Sequence, residues 1–213
     1  MAAKLLVLPD RQADPWPGLW ESFERSLRAN RASPQTLRMY REAGGQAHAY
    51  FAEWAMPTDP ALIQKAHVEA WLIYLQEERG VKPATLSARF SALRRFFRWL
   101  EEEGEIALSP MVRMKAPKVE VVAPNVLTDD EQRRLLDACG GSAFEDRRDA
   151  AILRLMLDTG MRRGEVAAMK VEELDLQGQA VRLVGKGGRP GVVFFGVRTA
   201  RDLDRYLRTR PRQ

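Results

Sequence analysis

With 213 residues, 45% of them hydrophobic and 30% charged, the chain has ordinary globular composition and enough length for one or two cores. No stretch approaches the roughly 18 apolar residues that a membrane helix needs, so no membrane partner is expected, and the single cysteine, Cys139, excludes an internal disulfide and fits a reducing, cytoplasmic setting. The formal charge of +5 suits a nucleic-acid partner without requiring one, and His48 and His67 stand too far apart, without cysteine companions, for a metal-ligand spacing.

The N-terminus, Met1 to Pro9, carries a short apolar run from Leu5 to Leu8, too short for a signal-peptide core, and reads as a loose arm. Trp16 to Arg28 then sets Leu19, Trp20, Phe23 and Leu27 on one helical stripe. Ser33-Pro34, a cap residue followed by proline in the first turn, opens a second helix. Its buried face runs through Leu37, Tyr40, Gly44, Ala47, Phe51 and Trp54. Gly44-Gly45 inside it reads as a weak point, costing ~1 kcal/mol per glycine relative to alanine. A third helix spans about Gln64 to Glu78, with Val68, Trp71, Leu72 and Leu75 inward and Gly80 as its stop. A fourth runs from about Pro83 to Glu103 on the stripe Leu86, Phe90, Leu93, Phe97 and Leu100. Pro110, Pro117 and Pro124, with Lys115 and Lys118 between them, punctuate the stretch that follows, which reads as a basic linker.

A second domain opens at Leu127-Thr128, where Thr128 and Glu131 form a capping box. Cys139 lies on the helix so begun and reads as a small buried hydrophobe. The next helix, about Arg148 to Asp158, is apolar enough through Ile152, Leu153, Leu155, Met156 and Leu157 to be buried nearly all round. Thr159-Gly160 breaks it, and a short helix follows from about Arg163 to Met169. The period then changes. Ala180 to Val184, a glycine-rich turn, and Val192 to Phe195 read as a hairpin. A last helix runs from about Thr199 to Arg208. The fold class is therefore mainly α with a small β-hairpin or sheet: a helical domain over 14–105, a linker over 106–124 and a mixed domain over 125–213.

Two helix faces could meet DNA. Opposite the apolar face of the second helix lie Gln35, Arg38 and Glu42. Opposite Phe90 and Phe97 on the fourth lie Ser87, Ser91, Arg95 and Arg98, flanked by Arg94. Arginines with short hydroxyl residues suit phosphates and base edges. A plain solvated face would look similar.

The chemistry concentrates in Asp158-Thr159-Gly160-Met161-Arg162-Arg163-Gly164-Glu165-Val166. Gly160 permits a tight turn. Arg162 then falls at a helix N-terminus, where free N–H groups favour an anion and a planar guanidinium matches two phosphate oxygens. Lys186, on the tip Gly185-Lys186-Gly187-Gly188, could reach a phosphate or a leaving oxygen, although glycine and lysine also fill ordinary turns. The ending needed for a phosphate-cradling P-loop is absent.

In this order the parts resemble the tyrosine recombinases of the phage-integrase family, in their Xer-like form. Ser33-Pro34-Gln35-Thr36 and the run from Ala84 to Leu100, with Ser109-Pro110 behind it, are similar to the family's SAM-like core-binding domain. Leu127-Thr128 resembles the start of its catalytic domain, the segment from Thr159 to Val166 its first arginine motif, and Gly185-Lys186-Gly187 its hairpin lysine. The resemblance implies metal-free phosphoryl transfer with no cofactor. A tyrosine attacks a DNA phosphate, a 3′-phosphotyrosyl bond forms, and the 5′-oxygen leaves as a hydroxyl. Arg162 would stabilise charge on the non-bridging oxygens. Lys186 would protonate the leaving oxygen. Glu165 would brace the arginine turn, while Arg38, Ser87, Ser91, Arg94, Arg95 and Arg98 would contact duplex DNA.

The family's later parts, a His-x-x-Arg motif and the nucleophilic tyrosine, do not follow the hairpin here. Tyr206 is the one tyrosine after Lys186, shares a helix face with Leu203 and Leu207, and reads as a packing residue. The chain is thus expected to be C-terminally truncated, incomplete as a catalyst, and monomeric off DNA, although the family assembles as a tetramer on two DNA sites. The two domains would grip the duplex from opposite sides. Two alternatives stand beside this reading: a regulator or site competitor on a recombinase scaffold, and a helical protein-interaction module.

Overall fold

The computed structural model describes residues 14–120, 123–185 and 188–210. The chain divides into two compact units between Val122 and Ala123. The first is all helical: α1 (Trp16–Ala29), α2 (Pro34–Glu53), a 3-10 turn at Pro60–Leu62, α3 (Lys65–Glu77) and α4 (Pro83–Glu102). Ser33 caps α2 by accepting from the Thr36 N–H, and Pro34 fills the first turn, where its missing N–H costs nothing.

The core of this unit is aromatic. Trp16, Phe23, Phe51, Trp71, Phe90, Phe96 and Phe97 are each 2% exposed or less. Trp20 lies 4.4 Å from the Phe96 ring and 5.4 Å from Phe23, wedged between α1, α2 and α4. Its ring rests on the backbone of α2, where a Cβ at Gly44 would stand 2.2 Å from the Trp20 ring. Gly44 is therefore the close-approach point of two helices, and the loss in helix propensity is exchanged for a packed indole. Trp54, expected on the buried face, is 56% exposed. It is the C-cap of α2, where the helical period stops applying.

A buried carboxylate ties α1 to α2. Glu24 accepts from the Arg41 Nε at 2.7 Å and pairs with Arg28 at 3.0 Å. The Arg41 hydrogen bond, aided by the charges of Arg41 and Arg28, holds the Glu24 carboxyl below its ordinary value against the opposing effect of burial. The first part of the stretch that read as a linker packs on this core: Ile106, Met111 and Met114 are buried in it. Ser109 organises that return by accepting from the Met111 N–H through its Oγ. Residues 115–120 carry no helix or strand.

The second unit contains α5 (Asp129–Asp137), α6 (Phe144–Thr159), α7 (Arg163–Ala168), a 3-10 turn at Val171–Glu173, β1 (Leu174–Asp175), β2 (Ala180–Val184), β3 (Pro190–Phe194) and α8 (Val197–Thr209). The strands form an antiparallel sheet in the order β1-β2-β3, with Val181 opposite both Leu174 and Val193. β1 is too short for its alternation to show in the sequence. The Thr128–Glu131 capping box is formed at the start of α5.

The core here is small: Ala151, Leu155, Met161, Val181, Phe195 and Leu203. α6 does not lie buried all round. Ile152 and Leu157 are 36% and 39% exposed, because α8 and the sheet cover only part of its circumference. Cys139 is half-buried in the turn after α5, since that helix ends at Asp137. Tyr206 packs its ring 5.7 Å from Phe144 and against the core. The fold is mainly helical with one small antiparallel sheet, and none of the helices described is long and apolar enough to cross a membrane.

Candidate nucleic-acid interface

The face of α4 turned from the core carries Ser91, Arg94, Arg95 and Arg98, all exposed, with Ser87 half-buried beside them. Leu86, Phe90, Leu93, Phe97 and Leu100 are buried on the other side, so packing of the apolar stripe fixes which residues face out. The exposed residues are not equivalent. Ser91 donates its hydroxyl to the Ser87 carbonyl at 2.8 Å, so it can meet a phosphate as a donor only by giving up that bond. Arg98 is paired with Glu102 at 2.8 Å. Arg94 lies over the Phe90 ring, 5.7 Å from its centroid. Among the described residues neither Arg94 nor Arg95 has an acidic partner, and both keep their full charge for an anion.

Arg38 is exposed on α2 and is likewise without an acidic partner among the described residues. Its helix is linked to α4 by an ion pair between Glu42 and Arg89 at 3.4 Å. The sequence reading missed this pair, as it missed Glu24 with Arg41. Partners 47 and 17 residues apart leave no local signal.

In the second unit the arginine turn is built from the inside out. Gly160 ends α6 in the left-handed region, with φ of +67°, and its N–H reaches the Met156 carbonyl at 2.9 Å. A side chain would be strained there. Thr159 donates its hydroxyl to the Leu155 carbonyl at 2.6 Å and accepts from the Met161 N–H at 3.2 Å. Met161 plugs into the core at 4% exposure, so Arg162, next in the chain, faces outward with its side chain 77% exposed.

Glu165 completes the turn. Its carboxylate accepts from the Arg162 N–H at 2.8 Å and from the Arg162 guanidinium at 3.0 Å. Those two bonds, the backbone one first, hold Glu165 below its ordinary carboxyl value despite a small desolvation effect. The first donor of α7 is thus already taken by a carboxylate of the chain itself. What remains for an external anion is the rest of a guanidinium fork whose orientation is braced from below.

Lys186 and Gly187 lie outside the described residues. Their flanks close a tight hairpin end: the Gly185 N–H reaches the Arg189 carbonyl at 2.8 Å and the Gly188 N–H reaches the Gly185 carbonyl at 3.1 Å. Arg162 and Glu165 stand together, then, while the residues of α2 and α4 form their own group in the other unit.

Residues 125–212 match the model of the phage integrase family, and residues 19–104 match that of the phage integrase N-terminal SAM-like domain. The chain is 33% identical over 181 residues to the tyrosine recombinase XerC of Xanthomonas campestris pv. campestris, covering 83% of this chain and 54% of that protein. It is 26% identical over 184 residues to the tyrosine recombinase XerD of Listeria monocytogenes, covering 86% and 60%. It therefore spans between half and two thirds of the length of these curated relatives. Among solved structures it is similar to a lambda integrase dimer bound to a COC′ core site, with TM-score 0.67, 21% identity, and coverage of 88% of this chain and 67% of that one. It is also similar to a lambda integrase tetramer bound to a Holliday junction, with TM-score 0.68, 21% identity, and coverage of 88% and 55%. At that identity the likeness establishes the fold.

Proposed function

This chain belongs to the phage integrase family of tyrosine recombinases, and from that premise we propose that it binds duplex DNA in site-specific recombination and holds a backbone phosphate. The observation that carries the proposal is the Arg162 turn. An outward guanidinium, anchored by the buried Met161 and braced by Glu165, is what electrostatic stabilisation of a phosphate requires. The helical unit, 14–105, supplies the duplex grip through Arg38 on α2 and Ser87, Ser91, Arg94, Arg95 and Arg98 on α4. The chain beyond Met114, which is still packed in the helical core, connects it to the second portion, 125–213.

In the reaction of this family, Arg162 has the role of neutralising the non-bridging phosphate oxygens. Lys186 has the role of delivering a proton to the 5′-oxygen as its bond to phosphorus breaks. Glu165 acts through Arg162 as a positioning residue. Tyr206 is assigned no part as the nucleophile, because its ring packs on α8 against Phe144.

A duplex nicked beside the cleavage position traps any covalent product and tests both halves. The expected result is retention of the nicked duplex by Arg-dependent binding, with no protein–DNA adduct through Tyr206 after denaturation. Failure to retain any duplex at low salt would remove the binding reading. An adduct abolished by Tyr206→Phe would overturn the assignment of Tyr206.

A further inference from the structure

The arginines of α8 have no part in the function proposed above. Arg198, Arg201, Arg205 and Arg208 recur at steps of three, four and three, and all four are exposed. At about 100° per residue this places them on one stripe about 80° wide. The opposite side of the helix carries Leu203, which is buried, and Tyr206, which packs on the core.

Ion pairing leaves most of this charge uncompensated. Of the two acids on α8, Asp202 is turned to Arg154 of α6, and Asp204 pairs with Arg208 at 2.6 Å. Among the described residues Arg198, Arg201 and Arg205 have no acidic partner. A solvated helix face normally alternates sign along its i,i+4 rows. Here like charges repel along the row, and Arg198, in the first turn, also opposes the helix dipole. The row becomes favourable only against an anion.

A second feature converges on it. A cavity of about 380 Å³ opens between α6, α8 and the turn before α6, lined by Arg147, Arg154 and Arg205, by the acids Asp137 and Asp202, and by Ser142. Arg205 belongs to both the stripe and the cavity. Arg154 is neutralised by Asp202. Arg147, half-buried, has no acidic partner among the described residues. Arg147 is also about 20 Å along α6 from the turn that carries Arg162, at 1.5 Å per residue. A phosphate held by Arg162 is not the one this cavity would meet.

We propose that the exposed arginine stripe of α8, with Arg147 beside its member Arg205, is a second, sequence-independent binding surface for the phosphodiester backbone of duplex DNA. The stripe is about 15 Å long at 1.5 Å per residue. Duplex DNA carries a charge every ~1.7 Å of its axis and so meets such a row in any register, and the guanidinium fork matches paired phosphate oxygens. The inference rests on the reading that the chain meets DNA, and it assigns to that DNA, or to a second duplex, a surface of the second unit distinct from the Arg162 turn.

The test uses the full chain and a duplex of arbitrary sequence, with affinity followed by fluorescence anisotropy across a salt series. The variant R198Q/R201Q/R205Q is expected to keep its thermal midpoint, to bind more weakly at low salt, and to lower the slope of log affinity against log salt by about 2 to 3, at ~0.9 per phosphate contact. R198K/R201K/R205K, which keeps the charge, is expected to retain most of the slope. R94Q/R95Q is expected to lower it separately and additively. Wild-type affinity and slope in the glutamine triple, with R94Q/R95Q still impaired, would overturn the α8 surface and leave the proposed function standing. Loss of polyglutamate binding in the triple with duplex binding unchanged would also overturn it, in favour of an acidic protein partner. No duplex binding by the wild type would instead overturn the function reading itself.

Discussion

Arg94 and Arg95 differ from Arg98 in one respect that matters for binding: a carboxylate already neutralises Arg98. Replacing Arg94 and Arg95 together with alanine is therefore expected to cost more duplex affinity than replacing Arg98, and to lower the salt slope by about 2 at ~0.9 per contact. Anisotropy titrations of the two variants across salt make the comparison, and equal losses would argue against it. Gly44 makes a different point at the same scale. On an ordinary helix, Gly→Ala stabilises by ~1 kcal/mol. Here the added Cβ would meet the Trp20 ring at 2.2 Å. Gly44→Ala is thus expected to destabilise the helical unit by roughly 1–3 kcal/mol, the usual cost of overpacking, as read from urea unfolding. A neutral or stabilising effect would show that Trp20 repacks freely. The glycine itself was plain in the sequence. Its reason was not, because the ring it accommodates belongs to another helix.

Helices were legible where a single apolar stripe met a core, as in α1 and α4, because the 3.6-residue period is imposed by burial on one side. α6 misled for the opposite reason. Its apolar residues run round the helix, yet only Ala151 and Leu155 are buried, so hydrophobicity without period overstated its burial. The ties between elements were not legible at all, since their partners are far apart in sequence. Asp158 of α6 accepts from the Thr199 hydroxyl at 2.8 Å and from the Gly196 N–H, capping α8 from outside that helix. Asp158→Ala is expected to destabilise the second unit by about 1 kcal/mol, the scale of a lost N-cap, measured by thermal unfolding. The tie between α1 and α2 is sensitive to pH. Glu24 has its carboxyl lowered in the folded chain, chiefly by the Arg41 hydrogen bond. Its contribution is complete above the ordinary value of 4.5 and is lost as pH falls through the lower folded value. Glu24→Gln should flatten the acid limb of the stability profile below that pH, and an unchanged profile would count against the pair.

At the scale of the whole molecule, the ordered motifs placed the chain in its family before any geometry was known. The small core of the second unit and the α8 surface came from the structure. In the absence of DNA, light scattering coupled to size-exclusion chromatography is expected to return the mass of one chain. A stable tetramer would contradict that. The central claim is that several arginines of this chain meet the phosphates of a duplex. Affinity for a duplex measured from about 50 to 200 mM salt tests it most directly. The account predicts a linear fall of log affinity with log salt, steep enough for several phosphate contacts at ~0.9 each. A flat dependence, or no binding at the lowest salt, would contradict it.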